Sequence, residues 1–81
     1  MPRYFFHLYN DVDARDEDGK ELEDLDAAIE LARYQARFTA GETIKEQGRV
    51  NLDHRIDIED EAGSLLATIR FGDVVSIDGR A

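Results

Sequence analysis

Residues 3–26 read RYFFHLYNDVDARDEDGKELEDLD, and they predict a strand, a loop and the start of a helix. The first seven, RYFFHLY, are mostly aromatic and alternate between two faces, which is typical of a half-buried strand. Tyr4, Phe6 and Leu8 form the more apolar face, so we expect them in the core. The opposite face of the strand then consists of Phe5, His7 and Tyr9.

Acidic residues are concentrated just after this strand. Nine of the sixteen residues in 11–26 are acidic, and residues 11–30 hold ten acids against Arg15 and Lys20, a balance of −8 within a net charge of −9. Such a surface repels phosphate backbones and anionic lipids, so neither nucleic acid nor membrane is an expected partner. It attracts cations and basic proteins instead.

A long helix is predicted after the acidic loop, which we define as residues 10–23. Asp18-Gly19 is expected to form the tight turn of the loop, and Asp24 is expected to cap a helix that begins at Leu25. Glycine at position 41 disfavours a helix by about 1 kcal/mol relative to alanine. We expect the helix to pass through Gly41 and end near Gly48, and a break at Gly41 is the alternative.

The buried face of this helix is predicted from apolar residues that recur at helical spacing. The expected stripe consists of Leu25, Ala28, Ile29, Ala32, Ala36 and Ala40, widened by Leu31, Tyr34 and Phe38. Its small residues would let the helix approach a sheet closely, with the bulk supplied from the sheet side.

Two more strands are predicted in the second half of the chain. RIDIED (55–60) alternates, with Ile56 and Ile58 directed to the core, and SLLATIRF (64–71) follows a turn at residues 61–63. The expected core face of this last strand consists of Leu65, Ala67, Ile69 and Phe71. VVSI (74–77) is either a bent continuation or a fourth strand.

The order of elements, β-α-β-β, predicts an α+β fold in a single domain that spans residues 1–81. One long helix covers one face of a three-stranded antiparallel sheet of order 1-3-2. A right-handed crossover makes the first two strands parallel, and the third lies between them, antiparallel to both. The first strand is then an edge, and the uncovered face displays Phe5, His7, Tyr9, Leu66 and Arg70.

Motifs for catalysis and for binding metal or phosphate are missing from the sequence. There is no cysteine, no metal-binding spacing around His7 or His54, and no nucleophile elbow. DEDG (16–19) is similar to the middle of an EF-hand loop, but Ala14 and Leu25 occupy its first and twelfth ligand positions. We therefore expect no enzyme activity, no metal and no cofactor; weak calcium binding by the acidic loop is left open. A small enzyme or metal sensor that uses His7 or His54 with neighbouring acids is the least favoured alternative.

Three segments, RYFFHLYND, DEDGKELEDLDAA and DIEDEAGSLLATIRFGD, resemble a small domain-of-unknown-function family common in alphaproteobacteria. The Asp-x-x-Gly-x-x-Leu-x-Asp element of that family matches Asp16, Gly19, Leu22 and Asp24, and its Asp-Glu-x-Gly hairpin matches residues 60–63. The resemblance implies a full-length single domain and a structural role for the acid-glycine-leucine-acid element, but no activity. A weaker likeness is to the small α+β antitoxins of the HicB kind, which have an acidic, glycine-containing opening.

The sequence thus predicts a cytoplasmic, acidic, non-catalytic protein-interaction or assembly domain. A chain of this size has a stability of about 4–8 kcal/mol, so we expect a homodimer through the edge of the first strand or the uncovered aromatic face. The alternative is an antitoxin-like or regulatory domain that binds a basic partner through residues 11–30. The candidate interaction residues are Phe5, His7, Tyr9, Asp16, Glu17, Asp18, Glu21 and Glu23.

Overall fold

The computed structural model describes residues 1–79 and has an α+β architecture, with one long helix on one face of an antiparallel sheet. The elements are strand β1 (Arg3–Tyr9), strand β2 (Lys20–Glu21), helix α1 (Leu25–Gln47), strand β3 (Arg55–Glu59), strand β4 (Leu65–Arg70) and the short helix α2 (Phe71–Val74). Within residues 1–79, no helix combines the length and the apolar character that crossing a bilayer requires.

The sheet formed by these residues has four strands in the order β2-β1-β3-β4, so the predicted three-stranded order 1-3-2 is wrong. β1 and β3 are neighbours and run antiparallel, with Phe6 opposite Ile58 and Tyr9 opposite Arg55. The acidic loop explains the difference, because it reverses direction and returns beside β1. Helix α1 therefore begins near the start of β1, and β3 begins near the end of β1.

Strand β1 is not an edge strand, contrary to the prediction. β2 pairs with its first two residues, placing Glu21 opposite Arg3. Further along, Ala14 and Leu8 exchange two backbone hydrogen bonds of 2.8 and 2.9 Å. The acidic loop thus occupies backbone positions that a second chain would need for strand pairing with β1.

The core lies between α1 and one face of the sheet. On β1 the predicted core face is confirmed, since Tyr4 is buried and Phe6 and Leu8 are half-buried against the core. The helix contributes four buried small side chains, Ala28, Ala32, Ala36 and Ala40. The other large buried side chains of the core are those of Ile56, Ile58, Ile69 and Phe71.

Both predicted ends of α1 are confirmed. The Asp24 carboxylate caps the first turn by accepting the Ala27 N–H at 2.9 Å. The helix continues through Gly41 and ends at Gln47, where Gly48 adopts the left-handed conformation. Leu22 packs against the core just before the cap, so the chain is fixed on both sides of the helix start.

The hairpin between β3 and β4 is confirmed, but part of β4 faces the other way. The Asp60 carboxylate accepts two backbone N–H groups and organises the turn. A register shift follows, so that Glu59 lies opposite Leu65. Leu65, which was predicted in the core, is consequently 59% exposed.

Residues 74–77 do not form a strand; within residues 1–79 the fourth strand is β2. Phe71, predicted at the end of a strand, is instead the first residue of α2 and is fully buried. The Asp73 carboxylate accepts the Arg70 N–H at 3.0 Å and stabilises this helical turn. Arg37 connects α1 to it, since its Nε donates to the Val74 carbonyl at 3.2 Å.

Candidate functional site

Asp16 fastens the acidic loop to β1. Its Oδ1 accepts the backbone N–H groups of Asp18 and Gly19 at 3.1 and 3.0 Å, and its Oδ2 accepts the Phe6 N–H at 3.1 Å. Burial alone raises the pKa of Asp16, but the N–H groups of Gly19, Phe6 and Asp18, aided by His7, leave that pKa below its ordinary value. The carboxylate is therefore ionised at neutral pH and engaged through both oxygens.

Gly19 lets the loop lie directly against β1. Its φ of 69° is in the left-handed region that favours glycine. A Cβ at this position would lie 2.9 Å from Arg3 Cγ and from Phe5 Cε2, and 3.0 Å from the Tyr4 carbonyl oxygen. The last of these atoms belongs to the backbone of β1 and cannot move aside.

The acid-glycine-leucine-acid element consists of Asp16, Gly19, Leu22 and Asp24. All four residues have structural roles, as the resemblance implied.

His7 is buried, although the sequence placed it on an uncovered face. It is only 3% exposed; its Nδ1 accepts the Asp16 N–H at 3.0 Å, and its Nε2 lies 3.3 Å from Glu59 Oε1. Because Nδ1 is an acceptor, a neutral His7 carries its proton on Nε2, facing this carboxylate. His7 links the acidic loop to β3 and offers almost no surface to a partner.

Phe5 and Tyr9 share this face of β1 and are half-buried. Phe5 packs beside Gly19. The Tyr9 ring lies under the Arg55 guanidinium, with Cζ 4.5 Å from the ring centroid, and the Tyr9 hydroxyl accepts from Arg15 at 3.2 Å. Both rings are engaged within the chain, so this face offers less free apolar surface than the sequence indicated.

The other acidic candidates, Glu17, Asp18, Glu21 and Glu23, are exposed. Glu21 pairs with Arg3 at 3.1 Å, and the same guanidinium donates to the Asp18 carbonyl at 2.8 Å. Within the described part of the chain, the carboxylates of Glu17, Asp18 and Glu23 have no ion-pair partner. These three side chains are available to a partner in a way that Asp16 is not.

Neither histidine lies in a cluster typical of a metal centre. Among residues 1–79, no group of three or more histidine, aspartate or glutamate side chains is placed to hold an ion. His54 Nε2 lies 3.5 Å from Asp11 Oδ1, and its ring meets Phe71 edge-on at a centroid distance of 5.7 Å. The expectations of no metal, no cofactor and no catalysis stay predictions.

The polar residues on the open face of the sheet mainly satisfy one another. Asp57, nearly buried, accepts from Arg55 Nε at 3.2 Å and from Thr68 Oγ1 at 3.0 Å. These donors offset the cost of burying its carboxylate. The arrangement is that of a cross-strand network that stabilises the sheet.

An apolar groove that the sequence did not predict lies between α1 and β1. α1 packs over β3, β4 and α2 rather than over β1, which leaves the inner side of β1 partly uncovered. The groove has a volume of about 310 Å³. Its lining includes Phe6, Leu8 and Ile56 from the sheet and Tyr34, Phe38 and Thr39 from the helix.

Tyr34 and Phe38, predicted in the core, form the outer wall of this groove and are 65% and 60% exposed. The nine residues of the predicted apolar stripe cannot all face the sheet, because they extend too far around the helix. The four buried alanines already occupy the side of α1 that faces the sheet. The sequence did contain a signal for this result. The two aromatic residues lie on a stripe of the helix separate from the alanines, because successive residues are about 100° apart.

Comparison with protein-family models matches residues 3–72 to the model described as Domain of unknown function (DUF6894). The matched range extends from the first residue of β1 into α2 and so includes the acidic loop, the groove and both histidines. No curated protein and no solved structure matches the chain.

Proposed function

The chain belongs to the DUF6894 family, whose description assigns no activity, and from its surface we propose a non-catalytic protein-interaction domain that assembles into a homodimer. The observation that carries the proposal is the exposure of Tyr34 and Phe38 beside the apolar groove. Exposed apolar patches of this kind mark interaction sites. Aromatic side chains in particular dominate the energetics of interfaces.

The exposed side of α1 that carries Tyr34 and Phe38 is a better candidate for assembly than the two surfaces that the sequence suggested. The edge of β1 pairs with the chain's own acidic loop, and His7 on the open face is buried. Tyr34 and Phe38, by contrast, are large and apolar, and most of each ring is in contact with water. A partner would gain more from covering these two rings than from covering Phe5 and Tyr9, which are half-buried.

Burial of the two rings would contribute appreciably to a small domain. An aromatic side chain buries about 150–250 Å² when it is fully covered. At about 25 cal/mol per Å² of apolar surface, covering the exposed part of each ring stabilises the dimer by roughly 2–3 kcal/mol, as an upper estimate. That gain is large beside a stability of about 4–8 kcal/mol for the chain alone.

Molar mass measured by light scattering tests the proposal. We expect the wild type to have twice the mass of one chain and the Tyr34→Ser/Phe38→Ser variant to have the mass of one chain. Ile44→Ser is the matched control, because Ile44 is an exposed apolar residue of α1 outside the groove. A monomeric wild type, or a double variant that remains dimeric, would contradict the proposal.

A basic protein partner is a second candidate, favoured by the exposed carboxylates of Glu17, Asp18 and Glu23 that lack ion pairs within residues 1–79. Exposed charges are screened within about 8–10 Å at physiological ionic strength, so such a complex should weaken as salt is added. The interaction would join the acidic loop to lysine or arginine side chains.

Capture from a lysate at low and high salt tests this second candidate. The informative variant is Glu17→Gln/Asp18→Asn/Glu23→Gln, which keeps Asp16 and therefore the loop structure. Glu42→Gln/Glu46→Gln/Glu61→Gln makes the same change in charge at exposed positions outside the loop. A basic protein lost only by the loop variant, and lost at high salt, supports the candidate; a salt-insensitive complex refutes it.

A further inference from the structure

We propose that two copies of the chain associate through an antiparallel pair of α1 helices, with Tyr34 of each chain packed against the partner's Phe38. The inference rests on the proposed homodimer and adds its geometry and register. It follows from the spacing, the glycine at position 41 and the charges of the exposed side of α1.

One stripe of α1 has the spacing of a seam between two helices. Its positions alternate by four and three residues, as the a and d positions of a coiled coil do. The stripe, called the outer stripe, consists of Ala27, Leu31, Tyr34, Phe38, Gly41 and Lys45. At about 100° per residue it lies on the side of the helix away from the four buried alanines. Apart from Lys45 it has no charged residue, and its two aromatic residues lie at the centre.

The outer stripe has the same spacing in both directions about position 36. In a twofold dimer each residue i that meets a residue j of the partner is matched by the reciprocal contact. Antiparallel pairing centred on position 36 therefore brings together residues equally distant from it. The resulting contacts are Tyr34 with the partner's Phe38, Leu31 with the partner's Gly41, and Ala27 with the partner's Lys45.

Gly41 gains an explanation in this register. Inside one chain its φ is not positive, and a Cβ at this position would meet nothing within 4 Å. Glycine there only weakens the helix relative to alanine. In the antiparallel pair it lies opposite the partner's Leu31, and a large side chain facing a small one lets two helices pack closely.

Charge also favours the antiparallel arrangement. Lys45, the base of the outer stripe, lies opposite the partner's Ala27 and therefore beside the partner's Asp26, in the first turn of that helix. The acid-rich helix starts are then on the order of 30 Å apart along the axis, several times the Debye length of about 8 Å. Parallel pairing would instead place Lys45 against Lys45, bring both acidic helix starts together and leave a gap at Gly41.

Disulfide coupling tests the register directly, because the chain contains no cysteine. Ala27→Cys and Lys45→Cys are prepared separately, mixed and oxidised with copper phenanthroline. We expect the mixed disulfide to dominate, because equivalent positions are about 27 Å apart in the antiparallel pair and a disulfide needs Cα atoms within about 7 Å. Self-coupling equal to mixed coupling, or no coupling in a protein that is dimeric, overturns the register and leaves the homodimer intact. A monomeric wild type would overturn both the register and the homodimer.

A large-for-small exchange tests the same register without oxidation. Gly41→Leu should weaken the dimer roughly 10- to 100-fold, because it places leucine against the partner's Leu31. Adding Leu31→Ala should restore most of the affinity, because the large and small side chains have changed places. Glu46→Leu, exposed and outside the outer stripe, is the control and should leave the dissociation constant unchanged. A Gly41→Leu dimer as tight as the wild type, or a failure of Leu31→Ala to restore it, contradicts the register.

Discussion

The acidic loop has the highest charge density in the chain, whereas the outer stripe of α1 contains two of its seven aromatic residues. A charged loop usually faces water and aromatic residues usually lie in a core. In this protein the loop is pinned along β1 by Asp16 and Gly19, and the aromatic rings are exposed. The difference shows that contact with a neighbouring strand, more than composition, decides which segment is part of the framework and which side chains stay exposed.

If the acidic loop is part of the framework, the largest loss of stability comes at Gly19. We expect Gly19→Ala to lower the free energy of unfolding by about 2–4 kcal/mol, because it combines left-handed strain with contact against the backbone of β1. Denaturant unfolding measures the loss. Gly63→Ala is the control, since Gly63 also has positive φ but open space around it, and it should lose only about 1 kcal/mol. Equal losses would show that the loop does not press on β1.

A second test separates Asp16 from its acidic neighbours. Asp16→Asn should lower the free energy of unfolding by about 1–3 kcal/mol, because an amide nitrogen cannot accept the backbone N–H that one carboxylate oxygen now accepts. Asp18→Asn removes the same charge from an exposed carboxylate that makes no side-chain hydrogen bond within residues 1–79, and it should change stability by less than about 0.5 kcal/mol. If denaturant unfolding shows the same loss of unfolding free energy for both variants, the charge density of the loop rather than its hydrogen bonding determines its contribution to stability.

The pH dependence of stability gives the sign of the Asp16 contribution. The pKa of Asp16 is lowered in the folded state, so in acid the unfolded chain binds the proton more readily than the folded chain does. The stabilisation is therefore complete above the unfolded pKa of about 4 and is lost as the pH falls through the folded pKa. The stability difference between wild type and Asp16→Asn, measured from neutral to acid pH, should shrink below about pH 4. A difference that stays constant into acid would contradict this assignment.

The smallest effect on folding is expected at the outer stripe. Tyr34→Ser should change the unfolding free energy of the dissociated chain by less than about 1 kcal/mol, since most of the ring is exposed. Tyr4→Ser makes the same substitution at a buried position and should cost about 3–5 kcal/mol. Unfolding at protein concentrations low enough to dissociate a dimer makes the comparison clean. A large loss at Tyr34 would show that its ring belongs to the core.

Much of the local structure could be predicted from the sequence, because it depends on nearby residues. Alternation identified the first strand and its core face, and helical spacing together with the Asp24 cap located α1. The hairpin turn was predicted at residues 61–63, where Gly63 has a positive φ. These features require only the periodicity and the turn chemistry of single segments.

The strand order could not be predicted because it depends on a contact without periodicity. β2 contains only Lys20 and Glu21, and neither is a typical strand former. The carboxylate of Asp16 holds the loop beside β1, and that reversal sets the direction of α1 and hence of β3. The register shift at Glu59, which exposes Leu65, likewise has no signal in the alternation of the sequence.

The burial of Tyr34, Phe38 and His7 was mispredicted for a related reason. Helical spacing assigned Tyr34 and Phe38 to the core because they widen the alanine stripe. Which part of an apolar stripe is buried depends on the strands over which the helix lies, and α1 lies over β3 and β4. His7 was predicted on an uncovered face but is buried, because the acidic loop returns beside β1 and its Asp16 N–H donates to the His7 ring.

Sedimentation equilibrium on two variants side by side tests the central claim that the outer stripe, and not the acidic loop, forms the assembly surface. One variant is Tyr34→Ser/Phe38→Ser and the other is Glu17→Gln/Asp18→Asn/Glu23→Gln. We predict that the loop variant keeps the dimer dissociation constant of the wild type and that the stripe variant raises it at least about 100-fold, as for the loss of two interface hot spots. A dimer that survives in the stripe variant, or one that is lost in the loop variant, would contradict the account.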